Sequence, residues 1–433
     1  MLTGETILYG RYSIMNSGYT ALTLDTLPVR LSKIDAIAQR VGPNYSSWSV
    51  SEIGDGNLNL VFIVKGTIGT VIVKQALPYV RLVGDSWPLT LERAYFEYNA
   101  LIRQEKRDPG IVPTIYYFDR AQGLIAMEYL DGFKILRGKL IMGEFVSDLA
   151  DTMGKFCARL AFRGSDLSLN AKEKKDDASL FQNNTELMAI TESLVFTDPY
   201  FNAERNHHTK GLDKIVQMLR GDSKMKLNVQ HMLRKFTSNA ETMCHGDLHS
   251  GSIMCTEQET RVIDPEFAFY GPFGFDLGML MSNYLMAYFS QPGHRENKEI
   301  VHSYQKWILD VISKTVQVFR DEFAQLWRHE RTGILYPQSL FEDQGHESEE
   351  AMEDILSDTW TDAVTVCGIE MHRRCLSLAH NADFEEINDI SIRAKLEARN
   401  LLMGRDLILN AESITKPQDL LDIAESYNRK DPF

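Results

Sequence analysis

The sequence is short of several things, and each shortage removes a class of protein. Cysteine is scarce: Cys157, Cys244, Cys255, Cys367 and Cys375 are scattered, odd in number and without a CxxC pair. That argues against a disulfide framework and a zinc ribbon and fits reduced thiols, so a cytoplasmic location is expected. Long apolar runs are missing too. The longest, Leu277 to Phe289, is interrupted by Gly278, Ser282 and Asn283 and is too short to span a bilayer, so it reads as a buried helix. The start, MLTGETILYGRYS, has no apolar core behind a basic segment, and no secretory signal is expected. Basic charge is in deficit: 46 lysines and arginines stand against 60 acidic residues, a net charge of −14, which repels a phosphate backbone. Neither nucleic acid nor a membrane is an expected partner. Internal repeats and long low-complexity tracts are also missing, which excludes solenoid architectures.

What remains is an average globular composition, 44% hydrophobic and 24% charged over 433 residues, enough for two or three lobes. From about Trp48 to Leu130 short β-branched runs alternate with glycine turns. Val61 to Lys65 and Thr70 to Lys74 flank Gly66-Thr67-Ile68-Gly69 as a predicted hairpin, and Val112 to Phe118 and Leu124 to Tyr129 add two strands. One helix is predicted there, Thr90 to Gln104, from apolar residues three and four apart with Thr90 as N-cap. Beyond Asp131 helical periodicity dominates. The expected organisation is residues 1–45 as an extension packed on a small lobe, 46–130 as that lobe, and 131–433 as a larger helical lobe.

Several segments carry chemistry. EIGDGNLNLVF, Glu52 to Phe62, sets Gly54 and Gly56 in a turn between predicted strands, where backbone can approach phosphate closely. Alone, such a turn is more often a plain hairpin. Lys74 ends the strand VIVK beside it, placed for nucleotide phosphates or, in isolation, a snorkelling edge lysine. A carboxylate must orient it, and Glu97, acidic within an apolar and aromatic stretch of the helix, is preferred to Glu92 near the helix start. HGDLHSGSI, His245 to Ile253, puts Asp247 in a predicted loop, where its carboxylate could accept the proton of a hydroxyl. Asp264 and Glu266 follow the strand Thr260 to Ile263 and suit Mg²⁺ on nucleotide phosphates. His245 and His249 read as loop-orienting, and Asp276 as a buried acceptor of backbone N–H groups from that loop.

Through HGDLH and the later Asp264 the chain resembles the aminoglycoside- and choline-kinase-like branch of the protein-kinase-like fold. Within that branch it is similar to the 5-methylthioribose kinase family, on the stretches EIGDGNLNLVF, KQALPYVRLVGDSWPLTLERA, LVFTDPYF, HGDLHSGSI and VIDPEFAFYGPFGFD. The resemblance implies an α+β, bilobal protein-kinase-like fold with a small β-rich N-terminal lobe and a larger, mainly helical C-terminal lobe. It implies ATP-dependent phosphorylation of the 1-hydroxyl of 5-methylthioribose in methionine salvage, with Mg²⁺ and a homodimer. Position by position, it implies ATP contact at Asn59, phosphate binding by Lys74, and a hinge for adenine at Met127-Glu128-Tyr129. It implies Asp247 as the catalytic aspartate beside the sugar hydroxyl, Asp264 and Glu266 as the metal pair, and Arg373-Arg374 as sugar-binding arginines. From periodicity alone Arg373 and Arg374 lie on a predicted helix, Asp358 to His380, and pair with Glu370 on its surface. Ordinary protein kinases differ: GxGxxG is absent, Asp264-Pro265-Glu266 replaces DFG, and Ser252 stands where a metal-binding asparagine is usual. The competing expectations are an aminoglycoside, choline or homoserine-type kinase, and a nucleotide-binding regulator without activity.

Overall fold

The computed structural model describes residues 18–53, 58–80 and 84–433. The chain divides into two compact units: residues up to Arg103 together with Val112–Asp131, and Gln104–Ile111 together with Gly132–Phe433.

In the first unit, helices α1 (Thr26–Leu31) and α2 (Asp35–Val41) precede strands β1 (Ser49–Glu52), β2 (Asn59–Lys65), β3 (Thr70–Ala76), β4 (Tyr79–Val80) and β5 (Gly84–Pro88); helix α3 (Arg93–Arg107) and strands β6 (Ile115–Asp119) and β7 (Leu124–Glu128) follow. The main sheet has the order β1-β2-β3-β7-β6, antiparallel throughout. The predicted hairpin is there, with Lys65 opposite Thr70 and Gly66 N–H bonded to Gly69 O. Alternation along β2 and β3 sends Phe62, Val64, Val71 and Val73 to one face, where Leu27, Leu31, Ile37 and Val41 from the two short helices pack with Trp48. Each such side chain removed from water contributes about 1.5–3 kcal/mol. Thr26–Leu31 and Asp35–Val41 are two separate helices. They are separated because Ile34, in extended backbone at ψ 103°, ends any continuous ladder. Helix α3 begins at Arg93, later than predicted; the Thr90 hydroxyl accepts from Glu92 N–H in the turn leading into it.

The second unit is mainly helical. Strand β8 (Lys134–Ile135) leads into α4 (Leu136–Met142), α5 (Leu149–Arg163), α6 (Ala171–Gln182), α7 (Thr185–Leu194), α8 (Asp213–Gly221) and α9 (Ser223–Ser238). Strands β9 (Thr242–Cys244), β10 (Ile253–Cys255), β11 (Thr260–Val262) and β12 (Phe269–Gly271) come next, then α10 (Phe275–His294), α11 (Lys298–His329), α12 (Glu349–Leu376), α13 (Ala382–Glu385), α14 (Ile390–Asn410) and α15 (Pro417–Arg429). The small sheets pair β11-β10-β8 and β12-β9. The end of α3 and the loop after it belong here, held by Arg107 to Asp177 at 3.0 Å, Arg159 to Asp108 at 2.6 Å and Val262 N–H to Ile111 O at 2.8 Å.

Helix α10 is the axis of this unit. Every residue from Phe275 to Gln291 is buried, as its mostly apolar sequence requires. Gly278 lets α12 approach: a β-carbon there would lie 2.5 Å from Ala363 O. Helix α12 starts nine residues earlier than Asp358 and ends at Leu376, and from Val366 onward all of it is buried. All five cysteines are buried and unpaired. Among the described residues no helix is long and apolar enough to cross a membrane.

Candidate active site

Lys74 lies on β3, between β2 and β7, opposite Val61 and Ile125. Its ammonium sits 2.9 Å from Oε1 and 2.8 Å from Oε2 of Glu97 on α3, and both side chains are largely buried. A desolvated pair of this kind gains little net stability but fixes the direction of a charge. Glu92, the alternative partner, instead holds Arg120 at 3.0 Å near the surface. Asn59, at the start of β2, is buried, and its Oδ1 accepts from Arg93, whose guanidinium also donates to the carbonyls of Leu58, Leu77 and Thr90. At the end of β7 Met127 is buried, while Glu128 and Tyr129 are half-buried. Glu128 N–H donates to Thr114 O and the Glu128 carboxylate accepts from Thr114 N–H, which pins this segment to the strand beside it. Gly54 and Gly56 lie outside the described residues.

The second unit assembles the remaining candidates around the loop after β9. Asp276, on the first turn of α10, accepts from His245 N–H at 2.6 Å and Gly246 N–H at 3.1 Å, as expected of a buried carboxylate there. Gly246 has φ 88°, and a β-carbon on it would meet Phe267 O at 2.1 Å, so only glycine fits. His245 bridges the loop to the next strand, with Nε2 on Ile263 O at 2.9 Å and Nδ1 accepting from Asp247 N–H.

These constraints aim Asp247 at two arginines. Its Oδ1 accepts from Arg373 Nη2 at 2.9 Å and from Arg374 Nη2 at 3.1 Å. Its Oδ2 lies 3.3 Å from His249 Nε2. An ionised carboxylate offers about four lone-pair sites; the protein fills three, and one on Oδ2 remains. Burial pushes the Asp247 carboxyl up, but His249, Arg374 and Arg373 outweigh it and hold it well below the usual range. Burial lowers the His249 imidazole despite Asp247, so near neutral pH it is a neutral N–H donor and the arginines are the charges that keep Asp247 ionised.

Below the arginines lies Glu370, fully buried, with Oε2 taking Arg373 Nε and Oε1 taking Arg374 Nε, each at 2.6 Å. The pairing read as a surface feature is thus an interior one. A third guanidinium, Arg137 at the start of α4, donates to Ser250 Oγ and Asn283 Oδ1 and lies 3.5 Å from Asp383. Burial pulls it down to about 10, so it remains charged near neutral pH.

Asp264 adopts φ 67°, a left-handed conformation rare outside glycine. Glu266 is buried, its carbonyl held by Asn184 Nδ2 at 2.9 Å. Carboxylate oxygens of Asp264 and Glu266 lie within 4.8 Å of each other, a hard-oxygen set suited to Mg²⁺. Ser252 Oγ is spent on Asp247 O and His249 Nδ1, which leaves the carboxylates as the better ligands.

Arg137, His249 as a partner of Asp247, and Glu370 as an interior hub were not assigned to the site from sequence. His249 carried a signal, its place two residues beyond Asp247. Arg137 carried none, because an arginine opening a short helix looks like any solvated cation.

A carboxylate held ionised by guanidiniums, next to a paired carboxylate turn, is equipment for passing a phosphoryl group to a hydroxyl. Residues 49–312 match the phosphotransferase enzyme family. The chain is 42% identical to the methylthioribose kinase of Escherichia coli, covering 94% of this chain and 98% of that protein. It is 37% identical to methylthioribose kinase 1 of Oryza sativa, covering 95% and 96%, and 41% identical to the methylthioribose kinase of a Geobacillus species, covering 89% and 92%. The chain belongs to the methylthioribose kinase family of phosphotransferases.

Proposed function

We propose that the protein transfers the γ-phosphoryl group of ATP to the 1-hydroxyl of 5-methylthioribose, giving 5-methylthioribose 1-phosphate and ADP, a step of methionine salvage. The observation that carries this reading is the arginine-clamped Asp247, with one lone-pair site on Oδ2 left for an acceptor hydroxyl.

In this reading the acceptor hydroxyl donates its hydrogen to Asp247 Oδ2, which aims the oxygen lone pair at the γ-phosphorus. The new P–O bond forms as the bond to the bridging oxygen of ADP breaks. A carboxylate this weakly basic takes the proton late, once the hydroxyl has been made acidic by the forming bond. Among the described residues the Nη1 groups of Arg373 and Arg374 have no hydrogen-bond partner, and they serve the sugar oxygens and the charge gathering on the phosphoryl group. On the nucleotide side, Lys74 takes α- and β-phosphate oxygens with Glu97 as its orienting partner. Asn59, Gly54 and Gly56 contact the nucleotide, and the backbone of Met127-Glu128-Tyr129 takes adenine. Asp264 and Glu266 hold Mg²⁺, which when bound neutralises charge on the phosphates. A cytoplasmic homodimer completes the proposal, with light scattering as its check.

The two arginines also separate this reading from its competitors. The ammonium groups of choline and aminoglycosides carry no lone pair for the Nη1 donors of Arg373 and Arg374, whereas a sugar and the phosphate it gains present oxygens to them. A regulator without activity has no use for an ionised Asp247. The test is coupled ADP release with methylthioribose, ribose, choline, homoserine and kanamycin. Methylthioribose should give the highest kcat/KM, and a cationic acceptor outrunning it would overturn the assignment.

A further inference from the structure

Two guanidiniums that share one carboxylate oxygen repel each other, and something must hold them there. Arg373 and Arg374 both end on Asp247 Oδ1, although adjacent residues on a helix point about 100° apart. Helical geometry alone does not bring them together. Glu370, one turn earlier on α12, does: it lies three residues before one and four before the other, and each of its oxygens takes one Nε–H at 2.6 Å. The carboxylate is wholly buried, so water does not screen it and no rotamer freedom blurs its aim. Burial also sets the charge balance. Arg373 and Arg374 are compensated by Glu370 and Asp247.

We propose that Glu370 is the positioning residue of the acceptor site. It locks both arginines by their Nε–H groups, so that Nη2 of each is delivered to Asp247 and Nη1 of each is left to the sugar and the moving phosphoryl group. This rests on the activity proposed above. Glu370 touches neither substrate, and its effect on the reaction passes entirely through Arg373 and Arg374. The bland alternative is that it neutralises buried charge for stability and leaves the chemistry alone.

A double-mutant cycle separates the two. Glu370→Gln keeps the shape but sets an amide N–H₂ against one guanidinium, freeing that arginine. It should lower kcat/KM for methylthioribose by about a hundredfold, the order expected of a small misplacement at a reacting centre, and leave KM for ATP unchanged. In an Arg373→Met/Arg374→Met background the same substitution should change kcat/KM by less than about twofold, because residues that act through one another are not additive. A Glu370→Gln enzyme as fast as wild type, or an equal loss in both backgrounds, would overturn the proposal. Should Glu370→Gln not fold, the lysine pair Arg373→Lys/Arg374→Lys gives an independent reading: it keeps both charges without an Nε–H for Glu370, so sugar kcat/KM should fall as with methionine, and wild-type values would overturn the role. Wild-type enzyme that releases no ADP with methylthioribose would overturn the acceptor assignment and this proposal together; normal wild-type turnover with an indifferent Glu370 would overturn this one alone.

Discussion

Replacing Asp247 by asparagine tests the centre of the site with the least change of shape. The carboxylate accepts from two guanidinium groups on Oδ1 and one imidazole N–H on Oδ2. An amide cannot match that set. With its oxygen toward the arginines, its N–H₂ faces the His249 N–H; flipped, its N–H₂ faces both guanidiniums. Either way donor meets donor, and no acceptor remains for the substrate hydroxyl. Loss of a positioned base costs about a hundredfold to ten-thousandfold in kcat, or about 3–5 kcal/mol of barrier at 1.36 kcal/mol per tenfold. Breaking a fully buried charge pair costs about 3–5 kcal/mol of stability. The Asp247 side chain is 21% exposed, so about 1–3 kcal/mol is the more reasonable loss. Since the folded-state carboxyl lies below its unfolded value near 3.9, the stabilisation Asp247 brings is present above that pH and lost only as pH falls through the depressed value. The assay is coupled ADP release at saturating ATP, with nucleotide binding followed separately. Nucleotide affinity should survive. Near-wild-type turnover would remove Asp247 from the chemistry and refute the lone-pair argument.

Arg373→Ala and Arg374→Ala should each raise KM for the sugar and lower kcat with ATP affinity intact. Each should also cost about 1–3 kcal/mol of stability, because Glu370 is buried and loses half its pairing; unchanged sugar kinetics with a lowered melting temperature would make the pair structural. Glu266→Gln should raise the Mg²⁺ concentration needed for half-maximal rate while metal-free nucleotide binding holds, and an unaltered Mg²⁺ titration would count against its ligand role. Asp383 has both carboxylate oxygens buried without a hydrogen bond among the described residues, and burial raises it to about 6 despite Arg137. As the folded value lies above the unfolded one near 3.9, the unfolded chain ionises first as pH rises. Wild type should therefore lose roughly 3 kcal/mol relative to Asp383→Asn between pH 4 and pH 6 and nothing further above it; parallel stability–pH curves would contradict this.

Much of the fold was legible because its signals are local. The hairpin around Gly66-Gly69, the helix carrying Glu97 and the apolar run that became α10 are each written in a dozen neighbouring residues. Boundaries fared less well where packing decides them. Helix α12 began nine residues early, since the chain can continue a helix wherever a partner surface accepts it. Helix α12 also hid its faces: buried all round from Val366, it has no apolar stripe to point inward.

By itself the sequence determined which chemistry is present: a strand lysine, a helix glutamate, an aspartate in a glycine-bent loop, a carboxylate pair after a strand and two adjacent arginines, with the family resemblance that orders them. Only the tertiary structure decided who meets whom. It brought Lys74 into buried contact with Glu97, the partner already preferred from sequence, because burial and strand register, not spacing, bring charges together. It brought Arg373 to Asp247 across 126 residues and turned Glu370 from a surface partner into the interior support of both arginines. The reason is physical: periodicity records which residues share a face, whereas the strength of a charge pair depends on the water around it, and that is set by distant segments of chain closing over the site.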